Sequence, residues 1–256
     1  MTLLIAVADS VADAELVASA RSLANAAGWD ARAVHVREPG GPELGSADAE
    51  GLDIVDLVGE AADGLAGLVG RADIDAIAVG LRTSAEPGIG HVTEALLQHP
   101  SAPLLLVRPG MRPLTTLRRL VVPLEGSPSG SSAMRHADDA LCKRGREIVM
   151  LHVVTGTTPR EQGSFPAPRI VDQEHYEWSA WQDEFCMRFS QCPEGGRHRV
   201  CMRVGEPAAT IVKEAQAVAA ELIVLSWKGS FAEGHGAVVK KLLDTAPCPL
   251  LIVPAG

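Results

Sequence analysis

The amino-acid sequence predicts an α/β protein made of two tandem, doubly wound parallel sheets. Short apolar runs alternate with helical patterns along all 256 residues, and this alternation is typical of right-handed βαβ units. The runs show no polar alternation, as in the last one, Leu250–Val253. Such runs favour strands that are covered on both faces. The third observation is an internal repeat, in which the second half of the chain follows the pattern of the first.

Two constant offsets align the halves. Near the front, an offset of 117 places Leu151–Val153 on Val34–Val36. Further along, an offset of 146 places Val204-Gly205-Glu206 on the identical Val58-Gly59-Glu60. The offsets of 117 and 146 differ by 29, which indicates one insertion between residues 154 and 203.

The repeat divides the chain into two expected domains of ordinary size. The first covers residues 1–109 and the second covers residues 118–256, with a linker at 110–117 and an insertion at about 155–195. The linker is short, so we expect the two domains to pack together.

The first half contains five expected strands and three expected helices. The strands are short apolar runs: Leu3–Ala8, Ala31–Val36, Ile54–Val58, Ala76–Val79 and Pro103–Val107. The helices are Asp13–Ala27, Ala61–Val69 and Gly90–Gln98. Gly28 closes the first helix as a C-terminal glycine. A loop is expected at 37–52, where Pro39 and Pro42 flank two glycines.

The second half repeats this order. Its expected strands are Arg118–Leu124, Glu147–Val154, Val200–Val204, Leu222–Leu225 and Leu250–Val253. A helix is expected over Ala133–Cys142, with Ser127 as a cap and Pro128 near its start. Another begins at Gly236, carries four apolar residues on one stripe and stops before Pro247.

The insertion is rich in aromatic residues. Trp178, Trp181, Phe185 and Phe189 are spaced by three, four and four, which is one face of a helix. We expect this face to cover the sheet or the other half; a groove for a partner or ligand is the alternative.

Charge and composition exclude some classes of function. The net charge of −9 argues against a general nucleic-acid or anionic-membrane surface, since both need basic patches. No run approaches the ~20 apolar residues of a membrane span. The five cysteines all lie in the second half and form no CxxC pair, so we expect free thiols in a reducing cytoplasm.

A binding site is expected at the carboxyl ends of the strands, where the strand order reverses. In the second half the loop after the fourth strand spans Ser226 to Gly236 and feeds a helix N-terminus. Backbone N–H groups there favour an anion, and Lys228 lies in the loop. The same glycines also fit a simple tight turn.

Five motifs of the second half together resemble the universal stress protein family. They are Val122-Pro123-Leu124-Glu125-Gly126-Ser127, Leu151–Val154, Val204–Ala208, the fourth strand and Ala246–Val253. The resemblance implies Rossmann-like sheets of the adenine-nucleotide alpha hydrolase-like type with strand order 3-2-1-4-5.

ATP-binding members of that family carry G-x2-G-x9-G-[ST] after the fourth strand, and this sequence departs from the pattern. The second half has Ser226-x2-Gly229-x6-Gly236-Ala237, and the first half is equally short. We therefore expect no resident cofactor, with ATP or another adenine nucleotide in the second half as the alternative. The resemblance then implies these residues around the ligand: Pro123, Leu124, Glu125, Ser127, Val153, Ser226, Lys228, Gly229, Gly236, Ala237 and Val238.

The histidines and cysteines do not form a recognisable catalytic or metal-binding motif. His35 and His152 occupy equivalent strand positions, which favours a structural use. No Cys/His pairing has the spacing of a zinc site, and there is no evident nucleophile–base pair. We expect no catalytic residue and no metal.

The favoured hypothesis is a non-catalytic, stress-responsive regulatory protein that acts through interaction, with a degenerate or absent ATP site. One alternative is an ATP or AMP sensor that uses the second half only. Another is an enzyme acting on phosphates through Lys228 and His235. Pro103–Val107 and Pro249–Val253 would be exposed edges, so we expect them to pair with each other or across a homodimer. A protein partner is expected but not identified.

Overall fold

In the computed structural model, the described residues are 1–8, 10–37, 51–69, 74–81, 89–98, 100–124, 131–155, 195–231 and 234–255. In the first half they form five strands and three helices. The strands are β1 (Thr2–Val7), β2 (Asp30–Arg37), β3 (Ile54–Val58), β4 (Ala76–Gly80) and β5 (Leu104–Val107). The helices are α1 (Ser10–Ala27), α2 (Ala61–Val69) and α3 (His91–Gln98).

The second half repeats this order of elements within its described residues. The strands are β6 (Arg119–Leu124), β7 (Glu147–Val154), β8 (Arg197–Val204), β9 (Leu222–Trp227) and β10 (Leu250–Pro254). The helices are α4 (Ser131–His136), which continues as a π-helix over Ala137–Leu141, then α5 (Pro207–Ala217) and α6 (His235–Thr245). The aromatic insertion, with its predicted helical face, lies outside the described residues.

All ten of these strands join one sheet in the order β3-β2-β1-β4-β5-β10-β9-β6-β7-β8. Each half therefore has the predicted order 3-2-1-4-5, with parallel neighbours throughout. The predicted Rossmann-like α/β fold class is confirmed.

The two fifth strands join the halves. β5 and β10 pair antiparallel, with Leu251 opposite Leu105. The predicted pairing of these two strands is thus present within one chain, and neither strand is an exposed edge.

The hydrophobic core lies in two layers, one on each face of the sheet. Leu3 and Ile5 point to the layer under α1 and α4, whereas Leu4 between them points to the layer under α2, α3, α5 and α6. Because successive strand residues face opposite sides, a strand buried on both faces must be apolar throughout. This is why the strand runs lack polar alternation.

Several element boundaries differ from the sequence predictions by one to three residues; β8, for example, begins at Arg197 and not at Val200. β9 continues past Leu225 to Trp227, because Ser226 is 2% exposed and Trp227 is 1% exposed, so both belong to the buried sheet. The helix predicted to end at Cys142 widens into a π-helix at Ala137. In the described part of the chain, no helix is both long and apolar enough to cross a membrane.

The cysteines differ from one another in state. The expectation of free thiols is wrong at Cys142, which is disulfide-bonded. Cys201 and Cys248 are free and buried. Burial raises the pKa of the Cys248 thiol to about 12, so this thiol stays protonated and inert at neutral pH.

Candidate functional site

The strand order of the second half reverses beside β6. β6 pairs with β7 on one side and with β9 on the other, and the helices that follow β6 and β9 lie on opposite faces of the sheet. The divergence of these two connections opens a crevice at the carboxyl ends of the strands, which is where ligands bind in open α/β sheets.

A pocket of about 290 Å³ occupies this crevice. Among the described residues, most of its wall is aliphatic, and the polar side chains are those of two histidines. The residues lining it are Pro123, Leu124, Leu151, His152, Val153, Pro207, Ile211, Leu225, Gly234, His235 and Val238.

His152 lies on the β7 side of the pocket in a defined orientation. Its Nδ1 lies 3.0 Å from the carbonyl oxygen of Leu124. A carbonyl oxygen can only accept, so Nδ1 carries the proton and Nε2 of the neutral ring is an acceptor. The side chain therefore ties the end of β6 to β7 and brings an acceptor to the pocket wall.

His235 lies on the opposite side, at the start of α6. Its Nε2 donates to the carbonyl oxygen of Ser226 at 2.6 Å. The preceding residue, Gly234, has φ 79° and ψ −122°, a conformation essentially restricted to glycine. Gly234 therefore allows the sharp entry into α6 that turns His235 back onto the end of β9.

The loop after β9 packs against the first half of the chain. The indole N–H of Trp227 donates to the carbonyl oxygen of Leu97 at 2.6 Å, and the Trp227 and Phe231 rings lie 4.7 Å apart. A Cβ atom placed on Gly229 would lie 3.7 Å from the carbonyl oxygen of Gln98. Residues 227–231 thus follow the surface of α3 in the other half.

Gly236 lies very close to the backbone of Ser230 and Phe231 in the same loop, which leaves no room for a side chain. A Cβ atom at this position would lie 2.3 Å from the carbonyl oxygen of Ser230 and 2.8 Å from the backbone of Phe231. Side-chain atoms do not approach backbone so closely, so this turn of α6 needs a residue without Cβ.

The structure brings together part of the predicted site. Pro123, Leu124, Val153 and Val238 line the pocket. Ser226 is buried within β9, and Gly236 and Ala237 lie in the first turn of α6, next to His235. Lys228 and Gly229 belong to the segment that packs on the first half. Glu125 and Ser127 lie outside the described residues, and the ligand contacts of the whole set stay predictions.

The predicted ligand site did not include seven residues that line the pocket: Leu151, His152, Pro207, Ile211, Leu225, Gly234 and His235. Pro207 is at the first position of α5. The side chain of Glu206 caps this helix, because it accepts hydrogen bonds from the backbone N–H groups of Ala208 and Ala209. The signal was available, because a proline after Val-Gly-Glu marks a helix start at the carboxyl end of a strand.

The corresponding crevice of the first half contains a carboxylate. Asp13 of α1 is 9% exposed, and its Oδ2 accepts a hydrogen bond from the backbone N–H of Ala8 at 2.5 Å. A Cβ atom placed on Gly80, at the end of β4, would lie 3.8 Å from the Asp13 Oδ1. The protein's own negative charge therefore lies where β1 and β4 end side by side.

The sequence profile described as "Universal stress protein family" matches residues 116–254. The chain belongs to the universal stress protein family.

Individual relatives agree with this assignment. The universal stress proteins Rv1996 of Mycobacterium tuberculosis and Mb2019 of Mycobacterium bovis are each 25% identical over 178 residues, which is 64% of this chain and 53% of theirs. This universal stress protein thus spans about half the length of the curated relatives it matches.

One solved structure shows the same fold along the whole chain. A universal stress protein from Archaeoglobus fulgidus matches 100% of this chain, with 98% of its own chain covered, at a TM-score of 0.70 and 14% identity. A universal stress protein crystallised in complex with cAMP covers 54% of this chain and 98% of its own at 19% identity, with a TM-score of 0.40. That likeness is too low to transfer its ligand to this protein.

Proposed function

We propose that this universal stress protein is a non-catalytic regulator that binds an adenine nucleoside or nucleotide in its second half, one per chain. The observation that carries the proposal is the aliphatic pocket where the strand order reverses beside β6. This pocket favours a sensor of a small ligand over a protein that acts only by binding other proteins.

The walls of the pocket suit a flat, largely apolar ring system. Pro123, Val153 and Val238 contribute aliphatic surface from three different elements, and burying such surface against a base yields about 25 cal/mol per Å². His152 adds a hydrogen-bond acceptor, which matches the exocyclic amino group of adenine. A volume of about 290 Å³ lies at the lower end for small-molecule sites and fits a nucleoside better than an extended triphosphate.

The loop after β9 offers little to a polyphosphate. Its residues from Trp227 to Phe231 pack on α3 of the first half, and Ala237 in the first turn of α6 has no hydroxyl group to donate. We therefore expect adenosine or AMP to bind at least as tightly as ATP.

The first half is not expected to bind the same ligand. The Asp13 carboxylate already accepts from the Ala8 amide at the end of β1, and a phosphate brought beside it would meet a like charge. This argues for one ligand per chain.

The side chains of the pocket favour binding over turnover. Its two histidines each hold a backbone carbonyl oxygen, of Leu124 and of Ser226. Among the described lining residues there is no serine, threonine, cysteine or lysine to act as a nucleophile.

Titration calorimetry with adenosine, AMP and Mg-ATP tests the proposal, at concentrations that detect a Kd of ~100 µM, about −5.5 kcal/mol. The nucleotide-stripped protein should bind about one ligand per chain. Val238→Trp fills the pocket and should abolish the heat, whereas Val92→Trp, at the equivalent position of the first half, should leave it unchanged.

Absence of heat with all three ligands at several temperatures would overturn the sensor proposal in favour of interaction alone. Equal loss in both variants would also contradict it, since the effect would then not depend on the pocket. Far-UV circular dichroism of each variant verifies that it is folded.

A further inference from the structure

Three potential metal ligands meet at the end of the second half opposite the pocket. Asp138 lies in the π-helix, Cys142 follows it directly, and His198 lies at the start of β8. One ligand atom from each lies within 4.8 Å of the other two. Because 56 residues separate Cys142 from His198, no local sequence spacing could have indicated this group.

The donor atoms converge on one nitrogen of His198. Its Nε2 is 2.7 Å from the Asp138 Oδ1 and 3.8 Å from the Cys142 Sγ. Because the carboxylate oxygen can only accept, this nitrogen carries a proton in the present arrangement. The proton thus occupies the place between these three ligand atoms that a metal ion would take.

The group is buried and is held by an unusual helix. Asp138 is 6% exposed and Cys142 is 1% exposed, and the His198 side chain is 11% exposed. Carboxylates, thiolates and imidazoles enclosed together are normally paired or bound to a metal. Single π-turns within α-helices occur frequently at functional sites, and here the π-turn carries Asp138 and leads directly into Cys142.

The distances suit tetrahedral zinc. With Zn–N and Zn–O near 2.0–2.1 Å and Zn–S near 2.3 Å, neighbouring ligands lie roughly 3.3–3.6 Å apart. The observed separations of 2.7 and 3.8 Å need to change by about half an ångström. Two hard or borderline donors and one thiolate favour zinc over magnesium or calcium.

The sulfur of Cys142 is in a disulfide and is therefore not a thiolate. We infer that Asp138, Cys142 and His198 form a zinc site that is available only after this disulfide is reduced. A dithiol supplies two electrons and two protons, so that the S–S bond breaks, two protein thiols form and the reductant becomes a disulfide. Zinc then binds with release of the Cys142 thiol proton, and the proton on His198 Nε2 moves to Nδ1 of the neutral ring so that Nε2 can coordinate the metal.

Cobalt binding to the full-length protein tests this inference, because a Co²⁺–thiolate bond has a characteristic charge-transfer absorption. Protein reduced with a phosphine and then freed of it under argon should give this absorption with one Co²⁺ per chain, and Zn²⁺ should displace it. The oxidised protein should not give it.

Variants separate this site from other thiols. Cys142→Ser should remove the absorption, and Asp138→Asn or His198→Gln should weaken metal binding by at least about tenfold. Cys201→Ser, which removes a free thiol in the same strand as His198, should leave binding unchanged.

Alkylation gives a second measurement that does not depend on the colour of cobalt. In the reduced protein, Zn²⁺ should protect Cys142 from iodoacetamide, and His198→Gln should abolish that protection. Equal cobalt binding by the oxidised and reduced protein, or binding that survives both Cys142→Ser and His198→Gln, would overturn the inference.

Discussion

The indole nitrogen of Trp227 and the carbonyl oxygen of Leu97 form a buried hydrogen bond, 2.6 Å long, between the two halves of the chain. Leu97 lies in the last turn of α3, where carbonyl groups have no partner within the helix. The second half thus completes the hydrogen bonding of a helix in the first, at the place where the loop after β9 begins.

Trp227→Phe should lower the free energy of unfolding by about 1–3 kcal/mol, because it leaves a buried carbonyl oxygen unsatisfied while retaining an aromatic ring. Urea unfolding followed by far-UV circular dichroism measures the change. Trp227→Leu also removes the contact with the Phe231 ring and should cost more. If the phenylalanine variant were as stable as the parent, this bond would contribute nothing across the halves.

The sequence predicted the strands well because their constraint is local. Ile54–Val58 and Glu147–Val154 form strands with the predicted bounds, since β-branched and other apolar residues are concentrated in these short runs. The pairing of β5 with β10 also followed from an elementary rule, that exposed apolar edges must be covered. The π-turn at Ala137 gave no such signal, because the same residues also suit an α-helix.

His136 should make the stability depend on pH. Burial lowers the pKa of this histidine, although the nearby Asp139 charge opposes the shift. Its Nε2 is buried with no hydrogen-bond partner among the described residues, and its ring lies edge-on to Trp29. The folded protein therefore takes up this proton less readily than the unfolded chain does.

The part of the free energy of unfolding that depends on an uncharged His136 is fully present above its unfolded pKa of 6.5. It decreases as the pH falls below that value. Urea unfolding at pH 7.5 and at pH 5.5 should show a smaller loss of stability in His136→Gln than in the parent protein. Comparison of the two proteins cancels the titration of all other groups. An identical loss in both would contradict the assignment.

The candidate site was predicted only in part, because its members come from distant elements. Pro123 and Val153 were found from strand ends that a family motif marks, and they line the pocket. The path of the loop after β9 could not be predicted, since it depends on where α3 of the other half offers a carbonyl group to Trp227. The Asp13 carboxylate in the first-half crevice was missed for a similar reason, because an acidic residue in the first turn of a helix is ordinary.

Gly236→Ala should distort the loop beside the pocket, since the new methyl group would lie 2.3 Å from the carbonyl oxygen of Ser230. We expect a loss of about 1–3 kcal/mol in the free energy of unfolding, which is usual for overpacking, and weaker ligand binding because His235 and Val238 lie in the same turn.

Gly67→Ala is the matched control, because Gly67 lies in α2 with no atom within 4 Å of the added methyl group. That variant should be neutral or more stable by up to about 1 kcal/mol. Urea unfolding and adenosine titration of both variants measure the difference, and equal behaviour of the two would show that the close approach at Gly236 does not constrain the site.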